Sequence, residues 1–167
     1  MREPIEFKTF RDLRAQTLAL AESSPLEIVD IVPEGFNNSI RWNLGHILVA
    51  WDHGIFPKLG EGWRIPEHYH YLFPKGTRPS EWTAEPPTYS EILEKLRSQI
   101  DDIVAASTGK LDAPIAQPFL RIKKLRGMFN FHNGEEQHHL DCMVRIKHAI
   151  EIKTMMEMQS MHADAGS

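Results

Sequence analysis

The segment spanning residues 124–158 constrains the fold most, because it carries the hydrophobic period of a single long helix. Its apolar and metal-binding side chains recur at steps of three or four residues and share one stripe: Met128, His132, Glu135, His139, Met143, Ile146 and Ile150. The outer members of the stripe are apolar, which indicates that it faces a core. A polar group without a partner in a core costs roughly 1–3 kcal/mol. The three polar members therefore need partners, and a divalent metal ion would satisfy all of them.

Three further segments, residues 7–21, 37–57 and 88–109, have helical periodicity, and no segment shows convincing strand alternation or an internal repeat. The link between the second and third helices is rich in prolines and aromatic residues, so we expect an ordered crossover rather than one regular element. The short connections make helices one and two, and three and four, antiparallel neighbours, and the crossover makes two and three roughly parallel. These features predict an all-α four-helix bundle.

The composition limits the number of domains and the kinds of partner. A chain of 167 residues with 41% hydrophobic and 25% charged residues is typical of one globular domain, which we expect to span residues 1–160, with a frayed tail at 161–167. A net charge of -4 argues against nucleic acid or an anionic membrane as partner. A single cysteine, the lack of a signal peptide and the lack of a membrane span favour the cytoplasm.

A metal site would need ligands from two helices. Glu135 and His139 are spaced i and i+4 and can share an ion, and His132 can join or replace Glu135. His46 on the second helix is the best further candidate, although taken alone it fits a core histidine bonded to a carbonyl better. The competing interpretation for the fourth helix is a solvated polar patch, which suits Glu136 and its neighbour His138 but not His139.

Other side chains have weaker claims. Cys142 lies one turn past His139 and is either a soft ligand or nucleophile or, more simply, a small buried thiol. His53 is two turns beyond His46 and is expected to line the pocket. His68 and His70 lie in the aromatic crossover and can contact substrate, although loop histidines without a role are common.

Several motifs resemble the DinB-like superfamily, the damage-inducible proteins related to the YfiT-type metal-dependent hydrolases. The stretch Asn-Asn-Ser-Ile-Arg-Trp-Asn-Leu-Gly-His-Ile at residues 37–47 is similar to the second-helix signature of that superfamily. Residues 71–82 and 87–93 resemble the crossover and the start of the third helix in one branch. The resemblance covers nearly the whole chain and implies an up-down-down-up four-helix bundle with a long ordered crossover between helices 2 and 3.

The resemblance also implies a metal triad of one histidine from the second helix and a pair spaced i and i+4 on the fourth. His46 matches the first position and His139 the last, but Glu135 stands where the family has a histidine. Glutamate binds zinc, nickel, iron and manganese and hardens the site. The departure allows either a His-Glu-His site, with zinc or nickel favoured, or loss of the metal with His132 and Glu135 merely hydrogen-bonded.

Characterised members of the superfamily include thiol-S-transferases that use a low-molecular-weight thiol. The resemblance therefore implies a metal-dependent transferase acting on a small molecule in detoxification or stress response, and a homodimer. Two alternatives stay open. One is a noncatalytic bundle that binds a small ligand or serves dimerisation, and the other is a metal-dependent hydrolase.

Overall fold

The computed structural model describes residues 2–166, which are mostly helical with one small antiparallel sheet. In chain order the elements are α1 (Ile5–Glu22), α2 (Ile40–Ile55), α3 (Tyr69–Leu72), α4 (Tyr89–Ser107), β1 (Pro114–Phe119), β2 (Ile122–Lys124) and α5 (Leu125–Ala165), with 3₁₀ turns at Pro57–Leu59 and Pro79–Glu81. All four long helices therefore lie where the periodicity predicts them. None of the helices within residues 2–166 combines the length and apolar character needed to cross a membrane.

The starts of α2 and α4 are fixed by side-chain caps. The Ser39 hydroxyl accepts a hydrogen bond from the Trp42 backbone N–H at 3.1 Å, which satisfies one of the free donors at the start of α2. At α4, the Thr88 hydroxyl accepts from the Glu91 N–H, and the Glu91 carboxylate accepts from the Thr88 N–H. This reciprocal pair is a capping box.

The sheet corrects the expectation of an all-α chain. Strands β1 and β2 pair antiparallel between Pro114 and Lys124, in a segment where the sequence shows no convincing strand alternation. Most side chains of this hairpin are exposed, so it lacks the alternating apolar pattern by which a half-buried strand is recognised. Prolines are tolerated because a two-stranded sheet consists of edge strands.

The last helix is longer than predicted. We expected α5 to end near Met158 with a frayed tail beyond residue 160, but the helix continues to Ala165. Every residue from 151 to 166 is exposed, so this part of α5 extends past the core. Exposed apolar side chains lie along it and just before it: Val144, Ile152, Met155, Met156, Met158 and Met161.

The core lies between the four long helices. Phe10 of α1, Trp51 of α2 and Phe129 of α5 form an aromatic cluster with ring centroids 4.4–6.2 Å apart. Trp51 is 1% exposed, and most other side chains of α2 are also buried. Helix α2 is therefore buried on most of its sides.

Polar contacts between the long helices follow a consistent order along the chain. Hydrogen bonds join α1 and the residue just after it to α5, and the residue numbers rise together on both sides: Glu6 with Arg126, Thr17 with Glu136, and Ser23 with Lys147. Between α2 and α5 the order is reversed: Asn43 with His139, and Trp51 with Glu136. Residue numbers also rise together in the contacts between α2 and the chain from Pro87 into α4: Arg41 with Pro87, and Leu48 with Gln99. They run in opposite directions in the contacts between α1 and α4: Arg14 with Gln99, and Ala21 with Tyr89.

The crossover between α2 and α4 packs onto α2 at two points. The buried carboxylate of Asp52 accepts hydrogen bonds from the backbone N–H groups of Arg64 and Ile65. Farther along, the Phe73 ring lies where a side chain on Gly45 would be, within 2.6 Å of an ideal Cβ position. The absence of a side chain at Gly45 therefore allows the crossover to approach α2 closely.

Candidate metal centre

His46 of α2 and His139 of α5 meet across the space between these helices. Their ring centroids are 4.5 Å apart, and Trp42 stacks on His46 with centroids 4.9 Å apart and planes 8° from parallel. Both histidines are partly buried. The structure thus brings together two of the three side chains that the sequence singles out as ligands.

A backbone carbonyl orients His46. Its Nδ1 lies 2.7 Å from the carbonyl oxygen of Phe73, and a carbonyl only accepts, so Nδ1 carries the proton. The lone pair of a neutral His46 is therefore on Nε2. This bond is the one expected of a core histidine, and it is also the bond that orients a metal-binding histidine.

Asn43 orients His139 in the same way. The Asn43 side-chain oxygen accepts from His139 Nδ1 at 2.9 Å, while its amide nitrogen donates to the Ser39 carbonyl at 2.9 Å. The second bond fixes which end of the amide faces the ring. His139 therefore also presents its lone pair on Nε2.

Burial keeps both rings neutral. It lowers the pKa of His139 to about 3, with His46 and His138 adding to the effect, and it is also the main cause that lowers the pKa of His46. Neutral imidazole is the form that binds metal ions, because the lone pair must be free. At neutral pH the pair offers two nitrogen donors.

Glu135 lies at the rim of this pair. Its Oε2 is 4.0 Å from His139 Nε2, and its side chain is 45% exposed. Within residues 2–166 no three His, Cys, Asp or Glu side chains are arranged closely enough to hold a metal ion. The structure thus shows two oriented histidines, His46 and His139, with the Glu135 carboxylate nearby.

His132 lies about two turns before His139 on α5 and does not join His46. It is 7% exposed, its ring packs 5.4 Å from Trp51, and it fills the space beside Gly54. His132 lines a cavity of only about 10 Å³ together with Glu135 and His139. Its Nδ1 is buried without a hydrogen-bond partner, which makes His132 a core residue next to the pair.

Protonation of His132 should weaken the fold at acid pH. Burial lowers its pKa from 6.5 to about 4, so between these values the unfolded chain binds a proton that the folded chain does not. The neutral His132 therefore costs the fold nothing above pH 6.5. As the pH falls from 6.5 toward 4, the free energy of unfolding should drop by on the order of 3 kcal/mol. The free energy of unfolding, measured with denaturant across this range, should depend less on pH in His132→Leu than in the wild type. His148 is exposed, so His148→Leu is the control and should keep the pH dependence of the wild type. If His132→Leu also keeps that pH dependence, this explanation is wrong.

Cys142 lines a polar cleft on one side of the pair. The cleft holds about 380 Å³ and includes Trp42 and His139. The Cys142 sulfur is partly exposed, 3.4 Å from an Arg145 nitrogen and 3.7 Å from His138 Nε2. The thiol is therefore not the fully buried one that the simpler interpretation predicts.

His53 lines a second, more apolar pocket on the other side of His46. This pocket holds about 290 Å³, and Trp63 and Lys75 also contribute to it. His53 Nδ1 accepts a hydrogen bond from Trp63 Nε1 at 3.3 Å. His53 therefore belongs to a pocket wall, as predicted, and does not meet His139.

Two residues near the pair escaped the sequence analysis. Asn43 lies three residues before His46, and this i and i+3 spacing would have placed both on one face of α2. Glu136 was read as part of an exposed patch, but it is 1% exposed, which corrects that interpretation. The signal for Glu136 was a second stripe through Phe129, Asn133 and Leu140, all of which are buried.

Comparison with known families gives one match. The sequence model described as the DinB superfamily matches residues 9–143, a range that includes His46, Glu135 and His139. No curated protein matches the chain.

Proposed function

The chain belongs to the DinB superfamily, and from this premise we propose that it is a metal-dependent enzyme that transfers a low-molecular-weight thiol to a small electrophilic substrate. Detoxification or stress response in the cytoplasm is the proposed setting. The observation that carries the proposal is the pair of neutral histidines, His46 and His139, each oriented through Nδ1 so that Nε2 is free. Hydrogen bonds of this kind orient the histidine ligands of metal ions in proteins.

We propose that the long helices form the up-down-down-up four-helix bundle of the superfamily. The order of the cross-helix contacts supports this arrangement. Residues of α1 and α5 pair in ascending order, as do those of α2 and α4, whereas α2 pairs with α5 in reversed order. Helices α1 and α5 then run one way, and α2 and α4 the other.

We propose His46 Nε2, His139 Nε2 and a Glu135 carboxylate oxygen as the protein ligands. The donor chemistry fits a divalent ion, because two imidazoles and one carboxylate form a common catalytic zinc set that leaves positions open. Glu135 has the freedom to turn inward, since its side chain is half exposed. Zinc or nickel is favoured by the two imidazoles, while the carboxylate also suits iron or manganese.

When bound, the ion would supply positive charge that lowers the pKa of a thiol beside it and favours the thiolate, the reactive nucleophile. The protein would contribute two binding surfaces. The polar cleft, with Lys75, Arg78 and Cys142 in its wall, suits a hydrophilic thiol, and the apolar pocket beside His46 suits the electrophile. Lys75 lines both the polar cleft and the apolar pocket.

Glu135 provides the test. Titration calorimetry with zinc, nickel and manganese should show one site in the wild type and clearly weaker binding in Glu135→Gln, because the amide does not neutralise the ion. Glu135→His should restore the usual triad and keep or strengthen binding of zinc and nickel. The exposed Glu151→Gln is the control and should bind like the wild type.

Three titrations without binding, in the wild type and both Glu135 variants, would end the metal-dependent proposal. A melting temperature that is indifferent to chelator would then point to the noncatalytic bundle. A bound metal without thiol transfer would leave the hydrolase, in which water takes the place of the thiol.

We also propose a homodimer. The support is the exposed apolar series on α5, which includes Ile152, Met155 and Met156 on a part of the helix that projects beyond the core. Exposed apolar patches of this kind mark interfaces. Sedimentation velocity at micromolar concentration should show a species of twice 19.2 kDa, and a 19.2 kDa species alone would exclude the dimer.

A further inference from the structure

A second histidine in the apolar pocket is paired with a buried carboxylate. His70 of α3 places Nε2 2.8 Å from Asp52 Oδ2, and the two side chains are 6% and 0% exposed. Because a carboxylate accepts, Nε2 carries the proton of the neutral ring. Asp52 is itself held by the backbone N–H groups of Arg64 and Ile65, so the carboxylate has a fixed position.

The other ring nitrogen of His70 is free. Nδ1 has no hydrogen-bond partner in the described chain and is not among its fully enclosed polar atoms. His70 lines the apolar pocket together with His46 and His53. His70 therefore has an unpaired ring nitrogen and lies in the wall of the pocket that His46 also lines.

Trp63 fixes the plane of the His70 ring. The two rings stack with centroids 3.9 Å apart and planes 11° from parallel. An aromatic face attracts a cation, so this stack also stabilises the imidazolium that forms when Nδ1 takes a proton. Asp52 stabilises the same charge from the Nε2 side.

Among the residues that line the pocket with His70 or contact its ring, four are titratable. From α2 they are Asp52 and His53, and across the pocket they are His46 and Lys75. Asp52 is the only anion among these groups. A proton arriving at His70 is therefore balanced by one specific, buried carboxylate.

We propose that Asp52 and His70 form a proton-accepting dyad that serves the apolar pocket. The inference rests on the proposed thiol transfer. The thiol lies in the polar cleft, and its sulfur reaches the apolar pocket past Lys75, which lines both. His70 Nδ1 takes the proton of this sulfur, and the sulfur electron pair then forms a carbon–sulfur bond to the electrophile. The bond from that carbon to its leaving group breaks, and the leaving group departs with its electron pair and receives the proton from His70.

The alternative role for His70 is to hold the crossover on Asp52, and His70→Gln separates the two. Glutamine can still donate to Asp52 but does not accept and return a proton. The exposed His68→Gln in the same segment is the matched control. Turnover is measured on zinc-loaded protein with N-acetylcysteine and 1-chloro-2,4-dinitrobenzene, which react to a thioether and hydrogen chloride.

The dyad predicts that His70→Gln lowers kcat by about 100-fold or more, the usual loss when a general base is removed, with zinc affinity unchanged. His68→Gln should turn over like the wild type. A His70→Gln variant that does the same would overturn the dyad and leave His70 as a structural contact.

A second readout does not depend on turnover. Diethyl pyrocarbonate acylates neutral, reachable imidazole nitrogens with release of ethanol and carbon dioxide, and peptide mass spectrometry locates the products. His70 should be modified in the folded wild type. A folded protein whose His68 reacts while His70 does not would overturn the dyad. If the wild type shows no turnover, thiol transfer fails as the function, and the modification of His70 still decides whether the dyad opens onto the pocket.

Discussion

Replacing Glu136 by glutamine is expected to lower the free energy of unfolding by about 3–5 kcal/mol, because it leaves a buried charge without its partner. Arg14 Nε lies 2.7 Å from Glu136 Oε1, and both side chains are 0% exposed. The variant keeps the shape and loses the charge. The guanidinium of Arg14 would then remain ionised in the core with only neutral acceptors.

The pair is the centre of a network that joins all four long helices. The Glu136 carboxylate also accepts from Thr17 and Trp51, and the Arg14 guanidinium also donates to the Leu96 carbonyl and the Gln99 side chain. Each buried polar group in the network thereby has a partner. Loss of one member therefore affects several bonds at once.

Urea unfolding monitored by circular dichroism, in the presence of chelator, measures this cost. The control is Glu135→Gln, one residue away and half exposed, which should change the free energy of unfolding by less than about 0.5 kcal/mol. The double variant Arg14→Met/Glu136→Leu removes both charges and should recover part of the loss. The recovery is incomplete because Thr17, Trp51 and Gln99 lose their partners in that variant. A cost below about 1 kcal/mol for Glu136→Gln would contradict a buried, ionised pair.

Loss of His139 is expected to reduce zinc affinity by about 100-fold or more. Structural zinc sites bind with roughly 10–16 kcal/mol shared among four ligands, so one ligand contributes roughly 3 kcal/mol. His139→Ala and His46→Ala should both show this loss in competition titrations with a chromogenic chelator. Asn43→Ala, which removes only the group orienting His139, should cost about 10–100-fold.

The control for His139→Ala is its neighbour His138→Ala. His138 is exposed and does not contact His46, so its removal should leave zinc affinity at the wild-type value. Equal affinities for the two variants would place the ion elsewhere.

The positions of the helices follow from the sequence because their signals are local. The hydrophobic period and the residues that flank it place α1, α2 and α4 to within a few residues, and Ser39 and Thr88 cap the starts of α2 and α4. The end of α5 was placed too early, because the last turns are exposed and carry no core periodicity. The β1–β2 hairpin was missed for the same reason.

Burial along α5 was predicted in part, because a helix stripe has a width that spacing does not resolve. Met128, His132 and Met143 are buried as predicted, but Glu135 and His139 lie at the edge of the buried face and Glu136 lies within it. A shift of one residue changes the direction of a side chain by about 100°. Only the partners on α1 and α2 decide which of the two adjacent glutamates is buried.

The hydrogen bonds that orient the histidines were beyond sequence reasoning. The carbonyl that holds His46 belongs to Phe73, 27 residues away in an irregular crossover. The Asp52–His70 contact has the same origin, since it depends on the path of that crossover over α2. Local periodicity carries no information about such a path.

The most direct test of a metal ion held by His46 and His139 is a crystal grown with zinc and measured on both sides of the zinc absorption edge. We expect one anomalous peak about 2.0–2.1 Å from each Nε2 atom, with a Glu135 oxygen turned to within about 2.2 Å of it. The Nδ1 contacts to the Phe73 carbonyl and to Asn43 should be unchanged. Absence of a peak between the two histidines at saturating zinc would contradict the proposed metal centre.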